Sequence, residues 1–146
     1  LLLIFCQIIV GAFVSGMDAG KLYNSWPLMG SSFFPDDSKF MELFKLSAFS
    51  DPSLVQFVHR NLAYIIFIFY LFIIIKIYKN MLDKFYFAIN LLGILIIIQM
   101  ILGILTLIYD AQIILASMHQ ISSIFLVSSS VYFTYLSSKT NQQPSS

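Results

Sequence analysis

Three long stretches of the sequence are almost wholly apolar. They run from Leu54 to Tyr78, from Phe85 to Tyr109 and from about Gln112 to Leu136. An α-helix needs about 20 mostly apolar residues to cross the hydrocarbon core of a bilayer. A spanning segment must also satisfy its backbone polar groups internally, and none of these stretches alternates as a barrel strand would. The stretches therefore predict transmembrane helices.

The composition excludes a soluble globular domain. Hydrophobic residues make up 59% of the 146 residues and charged residues only 10%, whereas a soluble surface carries charge on roughly a quarter to a third of its residues. The net charge of +1 is too small to attract the negatively charged backbone of a nucleic acid. Cys6 is the only cysteine, which excludes a disulfide framework and a thiolate metal cluster. We expect the membrane to be the solvent and no nucleic acid to be a partner.

Residues 1–16 form a fourth, shorter apolar segment. It has no initiator methionine and no basic region before it, so we expect a truncated span of a longer chain rather than a cleaved signal peptide. The predicted fold class is therefore all-α, a polytopic membrane four-helix bundle built from two repeated hairpins. We expect the bundle to occupy residues 1–138 and the polar tail, residues 139–146, to be disordered.

The charged residues predict the orientation of the bundle. Lysines flank the second connection and follow the fourth span, which is typical of the inner side of a membrane; these are Lys76, Lys79, Lys84 and Lys139. The loop of residues 17–53 is then outside. Within it, Lys39, Glu42 and Lys45 recur every three residues, which predicts a short amphipathic helix covering the bundle mouth, with partner binding as the alternative.

The first and third spans repeat each other at a constant offset of 92 residues. The matched pairs are Gln7 with Gln99, Gly11 with Gly103, Asp18 with Asp110 and Ala19 with Ala111. We expect the glutamines to form interhelical hydrogen bonds, with cofactor contact as the alternative. The aspartates lie at outer helix ends, where turn formation explains them as well as chemistry does.

The second and fourth spans each carry one histidine near the outer end, and these are the only histidines. From Leu54 to His59 is about 7 Å of helix and from Gln112 to His119 about 10 Å. An ionisable side chain inside a span is by default a functional candidate. A lone histidine could simply form a hydrogen bond between helices. Two histidines at equivalent depth favour a different interpretation, in which both are axial ligands of one haem iron.

Small residues near the histidines leave space for a flat macrocycle or permit close helix packing, two alternatives that the sequence leaves open. They are Ala63, Ala116, Ser122 and Ser123, with Gly11 and Gly103 on the other two helices. Arg60, the only arginine, could pair with a haem propionate. The alternative partners of Arg60 are a lipid phosphate and Asp51.

Four stretches resemble the carboxy-terminal half of the haem A synthase family. They are QIIVGAFVSGMDAGKLYNSWPLM at residues 7–29, QFVHRNLAY at 56–64, QMILGILTLIY at 99–109 and ASMHQISSIFL at 116–126. The most specific piece is DAG-x-x-YN-x-x-PLM, from Asp18 to Met29. The resemblance touches all four apolar segments and the start of the long loop.

This resemblance implies an eight-span enzyme in two halves, which oxidises a methyl group of haem O to the formyl group of haem A. It implies that the amino-terminal half holds the substrate and that this half holds haem b through His59 and His119. Arg60, Gln7 and Gln99 are the other candidate cofactor-binding residues. Implied partners are membrane lipid, haem O, haem O synthase and cytochrome oxidase assembly proteins, in a bacterial plasma membrane or mitochondrial inner membrane.

One position departs from the family's other half. That half carries an acidic residue three positions before its first histidine, in an E-x-x-H-R arrangement, whereas this chain has Gln56. Iron held by two histidines also has no open position for oxygen or water. We therefore expect an electron-transfer or structural haem here and assign no catalytic residue to this chain.

Two other functions fit the same residues. The first is a standalone b-type cytochrome that passes electrons from a quinol to a partner. The second is a small transporter or assembly subunit in which the histidines serve proton relay or packing. An absorption band from bound haem separates the first from the second, and the span count of the intact gene separates the cytochrome from haem A synthase.

Overall fold

The computed structural model describes residues 1–141, and four α-helices account for most of them. These are α1 (Leu2–Gly16), α2 (Pro52–Lys79), α3 (Tyr86–Ile108) and α4 (Ile113–Asn141). Short 3-10 helices cover Ala19–Lys21, Phe40–Phe44, Leu46–Ser50 and Asp83–Phe85. Helices α2, α3 and α4 are long and apolar enough to cross a membrane, whereas α1 is shorter. The chain is an integral, multi-pass, all-α membrane protein, as predicted.

The helices pack as two hairpins. Helix α1 lies along α2, and α3 lies along α4, while the hairpins meet mainly where α2 contacts α3. Helices α2 and α4, which carry the histidines, do not pack against each other along their length. We call the end of the bundle with residues 17–51 and 109–112 the outer end. Each histidine helix is therefore held by its hairpin partner and not by the other histidine helix.

The apolar core lies in the inner half of the bundle, away from the histidines. Its buried members come from α1, α2, α3 and the turn before α3; they are Ile4, Ile66, Tyr70, Ile77, Phe85, Ile89, Leu92 and Ile96. Part of α4 from Leu126 to Leu136 packs against this cluster. The core thus fixes the helices at one end, and the histidine level at the other end is built from different contacts.

Local interactions are found at the start of α2 and at the end of α4. Asp51 caps α2, because its carboxylate accepts hydrogen bonds from the backbone N–H groups of Ser53 and Leu54. Pro52 occupies the first helical position, where its missing N–H costs no hydrogen bond. Helix α4 continues to Asn141, so the disordered tail predicted from residue 139 is wrong for residues 139–141. Lys139 lies in the last turn, where a cation favours the helix dipole. The rest of the predicted tail lies outside the described residues.

The predicted amphipathic helix is two short 3-10 helices. They meet at Lys45, whose extended backbone (φ −96°, ψ 148°) prevents one continuous helix. The three-residue recurrence of Lys39, Glu42 and Lys45 matches the three residues per turn of a 3-10 helix better than an α-helix. Phe40 and Phe44 are 60% and 74% exposed. The segment therefore exposes aromatic side chains. The prediction of one amphipathic α-helix was wrong, because the segment forms 3-10 helices and is interrupted at Lys45.

Two aspartates organise the centre of the outer loop. Asp36 accepts hydrogen bonds from the backbone N–H and the hydroxyl of Ser31 and from the hydroxyl of Ser32, at 2.7, 2.9 and 3.2 Å. Asp37 accepts from Ser53 at 2.7 Å, which ties the loop to the start of α2. The hydrogen bonds from Ser31 lower the pKa of Asp36. Burial raises the pKa of Asp37, but the hydrogen bonds from Ser53 and Tyr23 outweigh it and the net pKa is lowered.

We predict that this loop is insensitive to pH until the solution is strongly acidic. Both carboxyl groups have pKa values below the ordinary 3.8. Their ionised forms therefore stabilise the loop fully at pH values well above 3.8, and this stabilisation is lost only as the pH falls through the two lowered pKa values. Hydrogen exchange of residues 25–40, corrected for intrinsic rates, should show equal protection at pH 5 and pH 7. Asp36→Asn should loosen the segment at pH 7, and loss of wild-type protection between pH 7 and pH 5 would contradict the prediction.

Candidate haem-ligand site

The repeated glutamines bind the histidine helices in the same way. Gln7 on α1 donates from Nε2 to the backbone carbonyl of His59 at 3.1 Å, and Gln99 on α3 donates to the carbonyl of His119, also at 3.1 Å. The predicted interhelical hydrogen bonds are thus confirmed. Each glutamine fixes the height of one histidine relative to its hairpin partner.

The repeated glycines give each imidazole room against the neighbouring helix. A Cβ added at Gly11 would lie 3.0 Å from Cε1 of His59, and one added at Gly103 would lie 3.2 Å from Cε1 of His119. Real Cβ atoms rarely approach so closely, so both rings lie directly against the backbone of the facing helix. Glutamine and glycine are four residues apart and share a helix face. Each hairpin therefore contains one Gln–His–Gly unit.

Several polar atoms in these units are buried without a partner. They include Nδ1 of both His59 and His119, as well as Oε1 of Gln7. Among the hydrogen bonds of the described residues, none joins a side chain to the ring of His119. An unsatisfied buried polar atom costs about 1–3 kcal/mol, so such groups in native proteins call for a ligand, water or strain. Unpaired imidazole nitrogens on two helices that do not pack together fit a site that binds something more.

Arg60 binds the outer loop in this structure. Its guanidinium donates to three backbone carbonyls of the outer loop, those of Ser25 (2.9 Å), Leu28 (3.3 Å) and Tyr23 (2.7 Å). The expected alternative contact with Asp51 is not formed, because that carboxylate caps α2. Nε of Arg60 is buried without a partner. Arg60 thus fastens the loop over the outer end of α2 and keeps one donor free.

Aromatic residues that the sequence did not single out complete this attachment. Trp26 donates from Nε1 to the hydroxyl of Tyr64 at 2.9 Å. Phe34 meets Phe57 edge to face with centroids 4.9 Å apart, and Phe33 stacks on Tyr64 at 6.5 Å. These contacts hold the DAG-x-x-YN-x-x-PLM segment and its continuation against α2. Only tertiary structure reveals that the loop and the histidine helix form one unit.

Gln56 lies close to this loop and is almost fully buried, with 2% of its surface exposed. Its Nε2 donates to the carbonyl of Tyr23 at 3.3 Å, while Oε1 has no partner. A neutral amide here can donate and accept hydrogen bonds but cannot take up or release a proton at ordinary pH. The position therefore offers no carboxylate chemistry beside His59.

The repeated aspartates lie in turns, which is one of the two roles that the sequence left open. Asp18 and Asp110 both have left-handed backbone conformations, with φ of 52° and 55°. Asp18 pairs with Lys21 at 2.9 Å, and Asp110 accepts a hydrogen bond from Asn24 at 3.0 Å. The second of these bonds joins the outer loop of the first hairpin to the turn of the second. It connects the two histidine units at the outer end of the bundle.

The glycine contacts lead to a direct prediction. Gly11→Ala and Gly103→Ala should each push an imidazole away from the facing helix by a few tenths of an ångström. Since the sequence predicts that these imidazoles are haem ligands, each variant should then bind less haem per purified chain. Gly16→Ala is the matched control, because nothing lies within 4 Å of an added Cβ there. Pigment absorbance relative to protein is the measurement. Equal haem content in all three variants would show that the glycines do not position the rings.

The fold and the paired units define the chain as a polytopic membrane helical bundle with one intramembrane histidine in each hairpin. The sequence matches the COX15-CtaA family, described as "Cytochrome oxidase assembly protein", over residues 1–131. The chain therefore belongs to this family, as the sequence resemblance indicated.

Curated relatives agree with this assignment. The chain is 41% identical to a protein named "Heme A synthase" from Pelagibacter ubique (strain HTCC1062), over 95% of this chain and 40% of that protein. It is 40% identical to a "Heme A synthase" from Wolbachia pipientis wMel, over 96% of this chain and 39% of the relative. The chain thus spans about 40% of the length of these relatives. No solved structure gives a significant match.

Proposed function

We propose that this chain is the haem b-binding half of a haem A synthase, with His59 and His119 as the two axial ligands of that haem. The observation that carries the proposal is the repeated Gln–His–Gly unit, which holds one imidazole on each of two helices that do not pack together. The names of the relatives supply the enzyme class.

Two histidines suit a metal that a macrocycle also holds better than they suit a metal ion bound by the protein alone. Among the described residues, no group of three or more His, Cys, Asp or Glu side chains is placed to hold a metal. A structural metal ion such as zinc needs four ligands from the protein. Two imidazoles are the complete protein contribution to a six-coordinate haem iron, for which the porphyrin supplies the other four nitrogens.

Other residues would support this haem. Gln7 and Gln99 set the positions of the histidine backbones, and Arg60 would place a partly buried positive charge, with Nε free, beside a carboxylate such as a propionate. The loop fastened to α2 would limit water at the outer end. A haem bound here supplies one-electron redox chemistry, and the protein sets its position and surroundings.

We assign oxidation of the haem O methyl group to the remainder of the enzyme, which holds haem O as its substrate. Gln56 provides no carboxylate, and two histidine ligands leave iron no open position. Haem O synthase and cytochrome oxidase assembly proteins are the partners that this role implies. The chain alone is therefore an electron-transfer or structural half and not a complete catalyst.

The test uses purified chain and extracted pigment. We expect mass analysis of the extract to identify haem b, and we expect no haem A when the chain receives haem O, reductant and oxygen. Pigment-free chain from haem-replete cells would contradict the haem assignment. Formation of haem A by this chain alone would contradict the assignment of catalysis to the other half.

A further inference from the structure

The two hairpins differ in what the glutamine does with its second amide hydrogen. Gln99 Nε2 lies 2.6 Å from Ser122 Oγ, in addition to its bond to the backbone of His119. The equivalent position three residues after His59 is Leu62, which offers no acceptor. Gln7 Nε2 lies instead 3.3 Å from Nε2 of the His59 ring. One side-chain difference thus changes the environment of one imidazole and not the other.

The direction of the bond between Gln7 and His59 follows from the backbone. The carbonyl of His59 can only accept, so the NH2 group of Gln7 must face it. That group has two hydrogens, and its second N–H therefore donates to Nε2 of the ring. Nδ1 of the neutral ring then carries the proton, so Nε2 has the only lone pair that can bind iron, and this hydrogen bond occupies it. The ring of His119 carries no such bond within the described residues.

We propose that Gln7 is a positioning residue that makes haem binding sequential. His119 binds the iron first. His59 binds second, after the hydrogen bond from Gln7 to Nε2 of His59 has broken. This inference rests on the proposed pairing of the two histidines as ligands. The second step breaks one neutral hydrogen bond and forms one bond from the nitrogen lone pair to iron. It transfers no electron and no proton.

Mixing haem-free chain in detergent micelles with ferric haem b tests the order of binding. Optical spectra should show a five-coordinate high-spin species that converts to a six-coordinate low-spin species. A neutral hydrogen bond contributes about 0.5–1.5 kcal/mol net, so removing it should speed the conversion about two- to tenfold. Gln7→Leu should produce this acceleration because it removes the donor.

Leu62→Ser and Leu62→Ala form a matched pair that isolates the hydrogen bond. Both shorten the same side chain, but only Leu62→Ser gives Gln7 a hydroxyl acceptor in place of the ring. We expect the conversion to be faster in Leu62→Ser than in Leu62→Ala, by the same two- to tenfold factor. This pair decides the question even if Gln7→Leu does not fold.

Single-ligand variants give the order directly. His59→Gly should retain the fast first binding step, whereas His119→Gly should lose it. Equal first steps in the two variants, or equal conversion rates in the Leu62 pair, would overturn the sequential order while leaving the paired ligands intact. A wild-type chain that never forms the low-spin species would instead overturn the proposed function itself, and the binding order with it.

Discussion

Replacing either His59 or His119 by methionine is expected to shift the absorption spectrum of the haem that we propose they bind and to raise its reduction potential. Methionine in place of one imidazole stabilises ferrous over ferric iron, as in cytochromes that use a His/Met pair. Axial ligands shift haem potentials over about 0.8 V in total, so a change on the order of 0.1 V or more is expected. The measurement is a redox titration followed optically.

Met118 and Gln120 supply the controls, because they flank His119 but lie on other sides of α4. Conservative changes at these positions should leave both spectrum and potential close to wild type. Unchanged spectra in both histidine variants would remove the ligand assignment. A change in only one variant would show that a single histidine binds the iron.

The second large effect concerns stability and not the haem. Gly93 in α3 lies where Tyr70 of α2 crosses it, and a Cβ at residue 93 would overlap the Tyr70 hydroxyl and the end of its ring. Tyr70 is only 9% exposed and belongs to the apolar core, so it has little room to move. Gly93→Ala should therefore lower the free energy of unfolding by about 1–3 kcal/mol through overpacking.

Unfolding of the purified chain in mixed micelles measures this effect. Adding Tyr70→Leu to Gly93→Ala should recover part of the loss, because the shorter side chain removes the overlapping atoms. Gly16→Ala, with open space around the added atom, should leave stability within about 0.5 kcal/mol of wild type. A stable Gly93→Ala chain would mean that α2 and α3 do not approach as described.

The sequence predicted the features that repeat. The offset that pairs Gln7 with Gln99 and Gly11 with Gly103 indicated two equivalent hairpins. In the structure both glutamines bond a histidine carbonyl and both glycines lie against an imidazole. The predictions succeeded because helix periodicity fixes which residues share a face. The hydrophobic length of each span was equally informative, since the bilayer sets it.

Features that depend on unrelated parts of the chain meeting in space could not be predicted. The partners of Arg60 are backbone carbonyls, which every residue carries and no sequence pattern marks. The different roles of Ser122 and Leu62 appear only when the neighbouring helix is in place. Lys45 interrupts the outer helix by its extended backbone, although its position in the charge pattern suggested continuity.

The most direct test of the paired ligands uses the fact that the chain contains only two histidines. Chain labelled with 15N-histidine and loaded with ferric haem b should give a low-spin signal in electron paramagnetic resonance. Its hyperfine spectrum should show two coordinating labelled nitrogens per iron. A single labelled nitrogen, or a high-spin iron without any, would contradict the account.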